Sequence, residues 1–272
     1  MRILLLGHRG MLGDVVFKLF TSRGINVGIL DQVISRDYLY SNYHDLLQYD
    51  FIINCVGKIP QTSNNFLINY QLPIWLEELS GKYCKVIEAG SDCTFKGNID
   101  KDRFYHLYSK LDADSPYGVS KARMEKFVLM CNPQKHKIIK SSVIGFDSKQ
   151  ASLLSWFLSK KRGEMVMGFN NHYWNGITTL EWAEVCYNLI CEWSKDTDYC
   201  QNPEFKHYVQ VGTNKVSKYE LLITFNNIFR SGIIVDNIES PIPCNRCLDA
   251  IWPLGSIHDQ IKRLKKFYEQ KS

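Results

Sequence analysis

Ile3-Leu4-Leu5-Leu6-Gly7-His8-Arg9-Gly10-Met11-Leu12-Gly13 carries the reading of the fold. Four consecutive apolar residues are too few for a membrane span or a secretory leader, and suit a short strand buried on both faces. Glycines at 7, 10 and 13 follow directly, and then a helical pattern begins with Val15, Val16, Leu19 and Phe20 on one face. A strand, a glycine-rich turn and a helix in this order make a backbone cradle for a dinucleotide pyrophosphate at a helix N-terminus.

The same rhythm continues outward. Apolar runs at 25–30, 51–56, 85–89 and 138–144 each end at a glycine or an acidic residue, and helix-length segments such as 65–79 and 117–130 separate them. Strands alternating with helices predict an α/β fold, a Rossmann-type doubly wound parallel sheet over residues 1–150. Beyond it, helical stretches at 153–161, 179–193 and 219–229 predict a smaller C-terminal substrate-binding lobe over 151–272. Short runs at 206–211 and 233–235 belong either to that lobe or to the first sheet.

Composition narrows the function. The chain has 272 residues, 45% hydrophobic and 13% aromatic, so it can bury a core and is no disordered tail. A net charge of +5, scattered in ones and twos, favours neither nucleic acid nor a membrane and allows a small anionic substrate. Nine cysteines, an odd number spread along the chain, fit reduced thiols in the cytoplasm. Cys244 and Cys247 have no second pair, so no metal is expected.

At the nucleotide end, Gly7, Gly10, Met11, Leu12 and Gly13 would meet the phosphates, and Cys55, Val56 and Gly57 would line the cofactor. Asp31 closes the second run where an acid accepts from the ribose of NAD, whereas Arg9 and Arg36 could pair with the additional phosphate of NADP. A guanidinium inside the glycine turn favours NADPH, with NADH left open. At the chemical end, Ser91 follows the fourth run, and Tyr117 and Lys121 lie one helical turn apart after Pro116. An ammonium beside the phenol is expected to lower its pKa, and the Ser91 and Tyr117 hydroxyls would both hold a substrate carbonyl.

Gly7 to Gly13, Gly90-Ser91-Asp92-Cys93-Thr94-Phe95-Lys96-Gly97 and Tyr117-Gly118-Val119-Ser120-Lys121 resemble the extended short-chain dehydrogenase/reductases that act on nucleotide sugars. Within these the chain is most similar to dTDP-4-dehydrorhamnose reductases, then to GDP-fucose synthases. The resemblance continues through Lys140 to Gly145, Asn175 to Thr179 and Asn245 to Asp249. It implies NADPH-dependent reduction, at C4, of a nucleoside-diphosphate 4-keto-6-deoxyhexose, in which UDP is favoured over dTDP and an acetamido group is allowed. Ser91, Tyr117 and Lys121 become the catalytic triad, Tyr117 and Lys121 also touch the cofactor, and Ser91, Asp92, Cys93, Ser142 and Asn175 bind the sugar nucleotide. Assembly as a homodimer is compatible with it.

Cys93 stands where 4,6-dehydratases carry a catalytic Glu, which argues against that activity. Fucose synthases and bifunctional epimerase/reductases carry Cys there, with a His or Lys in the lobe, and move the proton next to the ketone. The resemblance thus implies epimerisation at C3 (or C5); Lys160, 43 residues after Tyr117, or its neighbour Lys161, is the candidate partner of Cys93. His172 and Trp174 would line either the sugar pocket or the core of the lobe. The same resemblance includes non-catalytic regulatory subunits of methionine adenosyltransferase; the intact Ser91, Tyr117 and Lys121 speak against that role.

Overall fold

A computed structural model describes residues 1–195 and 206–270. The opening run forms β1 (Ile3–Leu6), and α1 (Met11–Ser22) follows the glycine turn. Next come β2 (Val27–Ile29), α2 (Arg36–Ser41), α3 (Tyr43–Leu46), β3 (Phe51–Asn54), α4 (Ile68–Leu79), β4 (Lys85–Ala89), a 3-10 turn over Asp92–Thr94, and α5 (Pro116–Met130). Pro116 occupies the first turn of α5 and Ser115 caps it, its hydroxyl accepting from the Gly118 N–H.

The run at 138–144 splits into β5 (His136–Lys140) and β6 (Val143–Ile144), and the chain turns away between them at Ser141 and Ser142. Then follow α6 (Leu153–Leu158), β7 (Met165–Phe169), β8 (His172–Trp174), β9 (Ile177–Thr178), α7 (Thr179–Ser194), β10 (Tyr208–Gly212), β11 (Val216–Ser217), α8 (Lys218–Phe229), β12 (Ile234–Ile238), β13 (Cys244–Asn245), β14 (Trp252–Pro253) and α9 (Ile257–Glu269).

Seven strands make one sheet in the order β14-β10-β5-β4-β3-β1-β2, with every neighbouring pair parallel. The order reverses at β1, which has β2 on one side and β3 on the other, and ligands of such sheets bind in the crevice there. Alternate residues of β1 face opposite layers. Ile3 and Leu5 pack with α1, α7 and α9, while Leu4 and Leu6 pack with α4 and the residues around Leu39 and Leu46. Each such side chain contributes about 1.5–3 kcal/mol by leaving water.

The late segments divide between sheet and lobe. The run at 206–211 becomes β10 and extends the main sheet beside β5, whereas 233–235 starts β12, which pairs with β7 in the lobe. Helix α7, expected in the lobe, lies on the main sheet against α1. Its stripe of Trp182, Val185, Cys186, Leu189, Ile190 and Trp193 is fully buried and fills the layer beneath β1 and β3, which an outlying lobe would leave open. The lobe proper holds β7 with β12, the sheet β11-β8-β13, and α6 and α8.

Candidate functional site

The glycine turn is built around close approach of backbones. Gly7 has φ +81°, and a Cβ there would lie 2.9 Å from the carbonyl carbon of Cys55; one on Gly13 would lie 2.2 Å from the Gly7 oxygen. The turn thus sits flat against the end of β3, where Cys55 and Val56 form the opposite wall and Gly57 is exposed. The N-terminus of α1 has no side-chain cap, so the N–H groups around Met11 and Leu12 face this crevice uncovered. The geometry fits a dinucleotide pyrophosphate.

Arg9 and Asp31, which favoured different cofactors in the sequence, are bonded to each other. Arg9 Nη2 donates to Asp31 Oδ1 at 2.6 Å, His8 lies 3.5 Å from the same oxygen, and both members of the ion pair are exposed. Arg36 stands apart from the pair, its guanidinium 4.8 Å from the ring centre of Tyr40.

Ser91, Cys93, Tyr117 and Lys121 converge beyond the end of β4. Ser91 caps the 3-10 turn by accepting from the Cys93 N–H at 3.1 Å, and its hydroxyl also bonds the Tyr117 phenol. A Cβ on Gly118 would meet the Cys93 carbonyl oxygen at 2.3 Å, so a glycine after Tyr117 lets α5 pack directly on that turn. Lys121 Nζ donates to the Ala89 carbonyl at 2.6 Å. Asn69 of α4, which the sequence did not single out, ties the region together: its amide meets both N–H and C=O of Lys58 and the Ser120 hydroxyl.

One electrostatic expectation changes. Burial pushes the Tyr117 phenol up, not down; Cys93 and Asp92 add to this, and the Ser91 hydrogen bond only partly opposes it. The Lys121 ammonium is spent on Ala89 and is itself pushed down by burial, against Glu88 and Glu125. Tyr117 is therefore a neutral phenol. The Cys93 thiol is raised to about 12, first by burial and then by Asp92. Asp92, also raised by burial, accepts from Cys93 and from Ser142.

Lys160 does not meet Cys93. Its ammonium pairs with Glu164 at 3.2 Å and lies 5.3 Å from the Trp156 ring; Lys161 binds Glu164 through its backbone N–H. Arg246, next to β13, opposes the rise of the Cys93 thiol, and Lys121 shares the field of the same group. Asn175, expected on the substrate, instead holds Leu248, donating to its carbonyl at 2.8 Å and accepting from its N–H at 2.9 Å. Asn245 similarly clasps the carbonyls of Asp100 and Arg103 at 2.7 and 2.9 Å. These amides brace the 245–249 segment against the loop that follows Ser91. His172 Nε2 lies 3.0 Å from the Ile242 carbonyl, and Trp174 packs against the core.

At the carboxyl edge of the sheet, a cavity of about 660 Å³ opens between Gln61 and Thr62 on one side and Lys149, Gln150, Trp156 and Lys218 on the other. The loop from Gly57 also carries Phe66, whose ring packs edge-on against Tyr117 at 5.9 Å. Asp147 fixes the far wall by accepting from the N–H groups of Lys149, Ala151 and Ser152, while Gln150 adopts a left-handed φ of 53°. Cys55, Cys84, Cys93, Cys131, Cys186, Cys191, Cys244 and Cys247 are free, and Cys200 lies outside the described residues. Among the described residues, no helix is long and apolar enough to cross a membrane.

Comparison with solved structures shows the same fold throughout. A dTDP-4-dehydrorhamnose reductase from Clostridium acetobutylicum superposes with TM-score 0.74 at 14% identity, covering 99% of this chain and 100% of that one. UDP-glucose 4-epimerase from Thermotoga maritima, solved with UDP-glucose, gives 0.76 at 14% identity, over 100% and 99%. A dTDP-4-dehydrorhamnose reductase from Bacillus anthracis in complex with NADP gives 0.73 at 12%, over 100% and 99%. No curated protein sequence matches the chain. Residues 3–146, more than half of the chain, match the family model described as NAD dependent epimerase/dehydratase, and they contain the glycine turn, Ser91, Tyr117 and Lys121. The chain belongs to the NAD dependent epimerase/dehydratase family.

Proposed function

We propose that this chain reduces the C4 ketone of a nucleoside-diphosphate 4-keto-6-deoxyhexose with NADPH, and inverts the neighbouring C3 (or C5) centre with the help of Cys93. UDP is favoured over dTDP. Residues 1–150 hold the cofactor and 151–272 supply most of the sugar pocket. The observation that carries the reading is the convergence of Ser91, Cys93 and Tyr117: the Ser91 hydroxyl caps the turn that presents Cys93, and Gly118 lets α5 set Tyr117 directly against that turn.

NADPH, when bound, supplies the hydride. The backbone of Gly7 to Gly13 would hold its phosphates, Arg9 its 2′-phosphate, and Cys55 to Gly57 would wall its crevice. Ser91 orients the ketone oxygen, and the neutral Tyr117 phenol gives its proton to that oxygen as negative charge develops. Trp156 offers a stacking face for the base, and Lys149 and Lys218 offer charges for the diphosphate. For inversion, a Cys93 thiolate takes the proton alpha to the ketone: the C–H bond breaks, an S–H bond forms, and the electron pair enters an enolate whose oxygen Ser91 and Tyr117 hold; a proton delivered by solvent to the opposite face of that carbon then forms the new C–H bond and restores the ketone.

Without NADPH, an accepted 4-keto substrate in heavy water should gain deuterium at the alpha carbon, read by NMR and mass spectrometry. Cys93→Ser should abolish this wash-in and still permit reduction to the uninverted product. No wash-in with the wild type would leave a simple C4 reductase, and no NADPH oxidation with any UDP-, dTDP- or GDP-4-keto sugar would sink the whole reading.

The Arg9–Asp31 pair sets the cofactor prediction. A 2′-phosphate has to take Arg9 away from Asp31, so the pair is expected to moderate the NADPH preference. Arg9→Ala should raise KM for NADPH about 10- to 100-fold, the worth of a charge-assisted bond, with little change for NADH. Asp31→Asn should lower KM for NADPH by removing the competing acceptor. Equal effects on both cofactors would remove Arg9 from the role.

A further inference from the structure

The guanidinium of Arg246 is half-buried and lies beneath the active-site turn. Its Nε donates to the Phe95 carbonyl at 2.9 Å and its Nη2 to the Lys96 carbonyl at 3.3 Å, so it grips the chain directly after the 3-10 turn that carries Cys93. The Arg246 Cγ and the Cys244 Sγ would both lie 2.8 Å from a Cβ on Gly97, which locates them on that same loop. Neutral carbonyls answer only part of a guanidinium with five N–H donors. Among the described residues no carboxylate pairs with it. The segment that carries it is rigid, clasped by Asn175 through Leu248 and by Asn245 through Asp100 and Arg103.

We propose that Arg246 is the positioning cation of Cys93, stabilising its thiolate from beneath the Ser91–Gly97 loop in the place where a lobe lysine was expected. This rests on the reading of Cys93 as a proton-transfer group. The groups around the thiol are few: Asp92 opposes its ionisation, Ser91 and Arg246 favour it, and Tyr117 and Lys121 stand across the site. Cys244 and Asp114 share the field of Arg246. When the thiol gives its proton to solvent or to the Asp92 carboxylate, the guanidinium supplies a positive charge from the loop side with no change of its own protonation, while Lys121, across the site, already donates to the Ala89 carbonyl. Arg246 touches neither ketone nor cofactor in this role; it acts through the sulfur.

The test needs no substrate. Alkylation of Cys93 by iodoacetamide is followed by peptide mass spectrometry on the full chain, from about pH 6 to about pH 10, because only the thiolate reacts. Arg246→Gln keeps donors for the two carbonyls and loses the charge. It is expected to slow Cys93 alkylation about 10-fold or more at each pH in this range, as a thiol pKa raised by about one unit or more requires below its midpoint. Arg246→Lys should recover part of that rate, and Cys131, remote from the loop, should react as in the wild type. A wild-type rate across the range in Arg246→Gln would overturn the proposal. So would loss of the fold in both Arg246→Gln and Arg246→Met, which would make the residue architectural. The two readings fail separately: normal Arg246 dependence without deuterium wash-in discards only the epimerisation, and wash-in with Arg246-independent alkylation discards only this role.

Discussion

Tyr117→Phe is expected to lower turnover with an accepted 4-keto sugar nucleotide at least about 100-fold and to leave NADPH affinity within about two-fold. The ring survives the substitution, so its edge contact with Phe66 and the packing of α5 on the 3-10 turn persist. What disappears is the single proton that the proposed reaction delivers to the ketone oxygen. Burial holds the phenol above its ordinary pKa, and Ser91 is its hydrogen-bond partner, so the donor stays protonated at every pH at which the enzyme would work. Consequently turnover should not fall through ionisation of this phenol below its ordinary value of about 10. Steady-state NADPH absorbance gives the turnover, and fluorescence titration gives the cofactor affinity. A variant with near-normal turnover would remove Tyr117 from the chemistry; one that lost turnover and NADPH binding together would make it a cofactor residue first.

Local signals were legible, and tertiary ones were not. The β1 run, the glycine turn and the exact span of β4 follow from short-range patterns that the fold leaves unchanged, as does Pro116 at the start of α5. The Tyr117 and Lys121 spacing was visible too. The direction of the phenol pKa was not, because burial outweighs a neighbour whose ammonium points to a backbone carbonyl. Arg9 and Asp31 read as alternatives when taken singly, and only the return of β2 beside β1 makes them partners.

The partner of Cys93 shows the same limit on a larger scale. Lys160 was placed by its distance along the chain from Tyr117, a measure with no bearing on space once α6 turns aside. Arg246 lies more than 150 positions from Cys93 and arrives through the pairing of β13 with β8 and the bridge from Asn98 to Asn245. A polar side chain in a recurring motif is also ambiguous in principle: Asn175 and Asn245 could serve a ligand or a loop, and the backbone groups they satisfy decide for the loop.

The second large effect lies behind the site, in a buried charge pair. Lys140 Nζ donates to Glu125 Oε1 at 2.5 Å, and the Tyr208 hydroxyl donates to the same oxygen at 2.8 Å; Glu125 and Lys140 are at most 1% exposed. Glu125→Leu would leave the ammonium buried without its counter-charge and the hydroxyl without its acceptor. Such a cut is expected to cost about 3–5 kcal/mol, a drop in Tm of roughly 10 °C by calorimetry or circular dichroism. Replacing the set together, Glu125→Leu with Lys140→Met and Tyr208→Phe, should restore most of that stability, since no charge or hydroxyl is then orphaned. A triple variant as unstable as the single one would show that packing, not the unpaired charge, sets the cost. The wild-type pH profile of turnover should not return with stability. Burial pushes Lys121 down while Glu88 and Glu125 hold it up, so removing Glu125 makes the ammonium easier to deprotonate. In the stable triple variant the alkaline loss of turnover should therefore begin at lower pH than in the wild type, and an unchanged alkaline limb would separate Glu125 from Lys121 altogether.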